Sequence, residues 1–127
     1  HTSHLNLRSQ AAIERLGAVM EPALLMAAQQ AVQRVQASDA LLDYLQALIA
    51  ATRNGRWFVE GLSPRAGIAI LRAARARALL AQRTYVAPED VQAILPQTAA
   101  HRLVPVAGAG RGRVEQVRAM IEAVPLP

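Results

Sequence analysis

The sequence contains no cysteine and no lysine, and aromatic residues make up only 3% of it. Without cysteine, disulfides and thiolate metal sites are excluded, which fits a reducing compartment such as the cytoplasm. Without lysine there is no phosphate-cradling P-loop, whose glycine-rich turn needs a Lys to reach the outer phosphates. A β-rich segment ending in Asp-Glu to hold Mg²⁺ is also absent, so the chain alone is not a nucleotide hydrolase. The three histidines, His1, His4 and His101, lie far apart and form no metal-ligand spacing, so no metal site is expected. No apolar run approaches the roughly 18 residues that span a bilayer, and no signal-peptide pattern opens the chain. No membrane partner is expected.

What is present is alanine and arginine. At 127 residues the chain is one domain of ordinary size, and 53% of it is hydrophobic, much of that alanine. Alanine is the best helix former, and the β-branched and aromatic residues that strands favour are scarce. The composition therefore predicts an all-α fold, a small bundle of about five helices without a substantial sheet. All 14 basic residues are arginine, giving a net charge of +5. They are scattered rather than gathered into a run, as on solvated helix faces.

Hydrophobic spacing divides the chain. A helical lead-in runs from Ser9 to about Leu16. Pro22 opens a helix to about Val35, with Leu24, Leu25, Ala28, Val32 and Val35 as its stripe. Ser38 or Asp39 caps the next, which Gly55 ends, and its buried face is Leu41, Leu42, Leu45, Leu48 and Ile49. Trp57 and Phe58 break the pattern in a loop expected to pack on the bundle. Ser63 is placed to cap the longest helix, with Pro64 at its first position, running to about Ala81. Thr84 to Val86 reads as extended. Pro88 starts a helix expected to stop before Pro96, and Gln97 to Gly112 reads as irregular. A last helix spans Arg113 to Ala123.

In projection Gly67, Ile70, Leu71, Ala74, Ala78 and Ala81 share one side of the long helix, with Arg65 and Arg72 opposite. Arg65 thus projects from the first turn, where a helix favours anions and a guanidinium can clamp a phosphate. An ordinary solvated arginine is the alternative reading. Gly108-Ala-Gly-Arg-Gly has the composition of a phosphate loop, but it follows no strand and reads better as a linker.

Gly61-Leu-Ser-Pro-Arg-Ala, the helix after it, and Ala81-Gln-Arg-Thr-Tyr-Val-Ala-Pro-Glu-Asp-Val resemble the C-terminal lid domain of MoxR-type AAA+ ATPases. That family carries close to Gly-Ala-Ser-Pro-Arg-Ala, then Gly-Arg-x-Tyr-Val-x-Pro-Glu/Asp-Asp-Val. Asp39-Ala-Leu-Leu-Asp-Tyr, Ala50-Ala-Thr-Arg, His101-Arg-Leu and Glu122-Ala-Val-Pro-Leu-Pro extend the resemblance from about Val19 onward. It implies a helical lid over residues 21–127, preceded in residues 1–20 by the tail of a connection from an ATPase core. Residues 1–4 are either native or left from cloning.

The resemblance makes Arg65 the sensor-2 arginine that contacts ATP phosphates, with Ser63 and Pro64 positioning its helix. ATP and Mg²⁺ would serve the full-length parent, with nothing bound to this chain by itself. The implied partners are the ATPase core, neighbouring subunits of a ring, and a von Willebrand A domain protein. The implied work is chaperone-like assembly or activation of other complexes. Gln82 stands where the family usually has Gly, and Val104 to Gly112 replaces a more acidic stretch. Two rival readings are a basic nucleic-acid-binding module and a protein-interaction bundle. The first would want arginines on one face and aromatics for stacking; the second gives no reason for Ser-Pro-Arg at a helix start.

Overall fold

The computed structural model of the protein describes residues 21–127. Among these residues five α-helices follow one another: α1 Pro22–Arg34, α2 Asp39–Thr52, α3 Ala66–Leu80, α4 Pro88–Ala99 and α5 Arg113–Ala123. A 3-10 turn, Ala100–Arg102, continues from the end of α4. Extended backbone among the described residues is confined to two isolated bridges, one parallel between Gln36 and Tyr85 and one antiparallel between Phe58 and Pro105. The all-α expectation holds. The expected lead-in helix from Ser9 to Leu16 and the connection in residues 1–20 lie outside the described residues.

Local signals set several boundaries. Ser38, not Asp39, caps α2: its Oγ accepts the Leu41 N–H at 3.0 Å. Gly55 takes a positive φ of 78° just after α2, a conformation that glycine adopts without strain. Pro22 begins α1, where its missing N–H costs nothing.

α4 lies at the centre, packed against α2, α3 and α5. Val91, Ile94 and Leu95 are fully buried there, facing Leu41, Leu45, Leu48 and Ile49 of α2, Ile70 and Ala74 of α3, and Val117 and Met120 of α5 in one core. Phe58 is buried as well, so the aromatic loop packs on the bundle as expected.

Three expectations are corrected. α4 does not stop before Pro96 but carries it inside and runs on to Ala99. An internal proline costs a helix roughly 3 kcal/mol, and burial of Leu95, Pro96, Thr98 and Ala99 on that turn offsets it. In α3, Leu71 is only half-buried and Ala81 exposed, while Ala73 and Ala76 are buried. A one-stripe projection fails because α1, α2 and α4 all pack on α3. α1 itself buries no residue; Leu25, Ala28 and Val32 are half-covered, and Leu24 is 55% exposed.

Candidate functional site

The turn that presents Arg65 is built from the end of α2. Thr52 Oγ1 donates to the Ile49 carbonyl (2.6 Å) and accepts the Leu62 N–H (2.9 Å), and all this is buried. Gly61 can lie here because it has no side chain: a Cβ would fall 2.5 Å from the Thr52 carbonyl oxygen and 2.6 Å from Arg53 Cα. One turn later Gly67 sits over Ile49, whose Cδ1 would be 2.9 Å from an added Cβ. Two glycines thus let the strap before α3 and the start of α3 press onto α2.

Between them stand Ser63, Pro64 and Arg65, all exposed and in one turn, as the sequence placed them. Their capping differs from expectation. No side chain caps this helix start; the backbone closes it instead. The Ala66, Gly67 and Ile68 N–H groups donate to the carbonyls of Ser63 (3.0 Å), Pro64 (3.2 Å) and Arg65 (3.1 Å). This tight i→i+3 turn satisfies the donors that a helix N-terminus otherwise leaves open. Those N–H groups are therefore spent, and the capacity to hold an anion rests on the guanidinium. Arg65 is exposed and makes no ion pair among the described residues.

The far end of α3 is held differently. Asp90, on the first turn of α4, is 0% exposed. Its oxygens accept from Arg77 Nη1 (2.7 Å), Arg83 Nη1 (2.6 Å), Arg83 Nη2 (2.7 Å) and the Ala87 N–H (2.8 Å). Burial pushes the carboxyl up, but the bonds from Arg83, Ala87 and Arg77 outweigh it and hold Asp90 below the ordinary range. Arg83 is raised in turn, chiefly by its bond to Asp90. This cluster ties the last turns of α3, and the loop after it, to the start of α4. Three residues meeting on one buried carboxylate is a tertiary fact that helical spacing along the sequence does not reveal.

His101 is neither exposed nor catalytic in setting. Its Nδ1 is buried without a hydrogen-bond partner among the described residues, and burial first, then the charge of Arg102, lowers its pKa. No group of three His, Asp or Glu able to hold a metal occurs among the described residues. A groove of about 760 Å³ runs between α4, α5 and the C-terminal residues, lined by Glu89, Pro96, Arg118, Ile121 and Leu126 among others. It excludes Arg65 and holds no nucleophile–base pair. No helix among the described residues is long and apolar enough to cross a membrane.

Residues 50–123, more than half of the chain, match the protein family described as AAA lid domain. The chain is 41% identical over 76 residues to the protein YeaC of Bacillus subtilis, covering 60% of this chain and 24% of that one. It is 40% identical over 74 residues to Chaperone MoxR1 of Mycobacterium tuberculosis, covering 51% and 20%. It is 42% identical over 71 residues to protein MoxR of Methylorubrum extorquens, covering 53% and 21%. The chain thus spans about a quarter or less of each relative's length. A crystal structure of a protein assigned as an ATPase from Cytophaga hutchinsonii superposes with a TM-score of 0.69 at 25% identity, over 77% of this chain and 33% of that one.

Proposed function

The chain belongs to the AAA lid domain family, of the MoxR type, and we propose that it serves as the lid of a longer AAA+ ATPase in which Arg65 is the sensor-2 arginine. The observation that carries this reading is an exposed arginine, without an ion pair among the described residues, on a turn that two glycines and a buried Thr52 hold against α2. Such a group can approach a phosphate through a planar fork, with little ordering left to do on binding.

The residues present fit ATP as far as one phosphate contact. Arg65 would hold phosphate charge, and Ser63 and Pro64 set the turn. Magnesium, P-loop and water-positioning groups would come from an ATPase core in the same protein. The lid turns as a body because Asp90, Arg77 and Arg83 tie α3 to α4, so a pull on Arg65 is carried into the bundle. Assembly into a ring, action on a client complex alongside a von Willebrand A domain partner, and a cytoplasmic setting complete the reading. A cysteine-free sequence is compatible with that compartment.

Arg65→Ala in the full-length parent tests it. The variant should fold and assemble normally yet lose most ATPase activity, and Arg65→Lys should recover only part, because an ammonium keeps charge without the fork. Wild-type turnover in an assembled Arg65→Ala ring would remove Arg65 from the site.

A further inference from the structure

Between Asp90 and Glu115 the chain contains no acidic residue, and this stretch folds back against the aromatic loop. The Val59 N–H donates to the Val104 carbonyl (2.9 Å) and the Val106 N–H to the Trp57 carbonyl (3.1 Å). Four exposed arginines ring this junction. The Arg56 guanidinium lies 5.2 Å over the centre of the Trp57 ring. Arg111 donates to Gln116 Oε1 (3.1 Å), and Gln116 in turn donates to the Trp57 carbonyl (2.9 Å). Arg113 donates to the carbonyl of His101 (3.1 Å), next to Arg102. None of the four makes an ion pair among the described residues.

Two acids share these loops. Glu115 is turned onto the Gly112 N–H (3.3 Å), and Glu60 is exposed beside Val59. Positive charge still prevails, with four guanidinium groups against two carboxylates. At the centre lie two apolar side chains in open solvent, Val59 (66% exposed) and Val104 (52%).

We propose that this surface, basic at its rim and aliphatic at its centre, docks an acidic, aliphatic peptide segment of a partner protein. Charge selects the segment and speeds encounter, while Val59 and Val104 give its aliphatic side chains a contact. A nucleic acid fits less well. Single strands bind by stacking bases on exposed aromatic faces, whereas Trp57 is half-covered under Arg56 and Phe58 is buried.

The proposal stands apart from the nucleotide reading, and its test contains no nucleotide. Trp57, the single tryptophan, lies in the patch and reports binding by its fluorescence. The probes are a peptide of repeated Glu-Glu-Leu, one of repeated Lys-Lys-Leu, and single-stranded oligothymidine of matching charge. The acidic peptide should bind saturably and the basic one not at all. Arg111→Glu with Arg113→Glu should weaken binding about tenfold or more, and Arg56→Gln with Arg102→Gln should weaken it independently. Arg72→Glu, the same charge reversal on the exposed side of α3, should leave affinity within about twofold. Circular dichroism checks that each variant keeps its helices, and the second pair stands in if the first does not. Absence of saturable binding, an equal loss in Arg72→Glu, or tighter binding of oligothymidine would each overturn the proposal.

Discussion

At Gln82 a long side chain occupies backbone that glycine takes more readily. Its φ is 61°, and the Gln82 and Arg83 N–H groups close the end of α3 on the carbonyls of Leu79 (2.8 Å) and Ala78 (2.9 Å). This is the double hydrogen bond of a Schellman cap, whose left-handed position is most often glycine. Left-handed backbone costs an L-residue roughly 1–2 kcal/mol, partly offset by glycine's greater freedom when unfolded. Gln82→Gly should stabilise the fold by about 0.5–1 kcal/mol in urea melts. Asp90 tests the opposite case. Asp90→Ala takes the shared acceptor away from Arg77, Arg83 and the Ala87 N–H and should cost about 1–3 kcal/mol, since both arginines can still reach solvent. Because its folded pKa lies below the unfolded value, Asp90 contributes fully above that value and loses the contribution as pH falls through the folded pKa. His101, also lowered, adds a loss in the same direction that begins below about pH 6.5. Stability followed by denaturant melts should therefore fall in two stages on acidification, and Asp90→Asn should erase the lower one.

Helices were legible where their signals are local. Pro22, the Ser38 hydroxyl and Gly55 act on neighbours within one turn, so the sequence places those boundaries closely. Pro96 and α3 defeat the same reasoning because partners distant in the chain decide them. The presentation of Arg65 was legible as Ser-Pro-Arg at a helix start, but not the reason it is rigid, since Gly61 and Thr52 belong to a contact with α2. Gly61→Ala should force that strap away from Thr52 and destabilise by about 1–3 kcal/mol. In the full-length parent, ATPase activity should fall although no phosphate contact is touched. Along α3, Ile70→Ala should cost about 2–5 kcal/mol, as burial of a core side chain dictates, and Leu71→Ala distinctly less. Equal losses in thermal melts would restore the simple single-stripe phase.

Across the whole molecule, helices α2 to α5 share one core, and α1 touches it through α3. Since α1 buries no residue, its amides should exchange with deuterium well before those of α4. Similar protection in both would mean that α1 belongs to the cooperative unit. Where α1 ends the situation changes abruptly. Val35 is buried, and Gln36 accepts the Val86 N–H (2.8 Å) while donating to the Thr84 carbonyl (2.9 Å). That pair of bonds lies between Arg83 and the first turn of α4, beside the Asp90 cluster. Among the described residues it is the first place where hydrogen bonds tie the chain leaving α1 to the rest of the bundle. Tension applied at residue 21 would unwind α1 like slack rope, stop at Gln36, and from there enter α3 and α4 together. A single-molecule pull should record a short yield, then a rip of the remaining bundle as one.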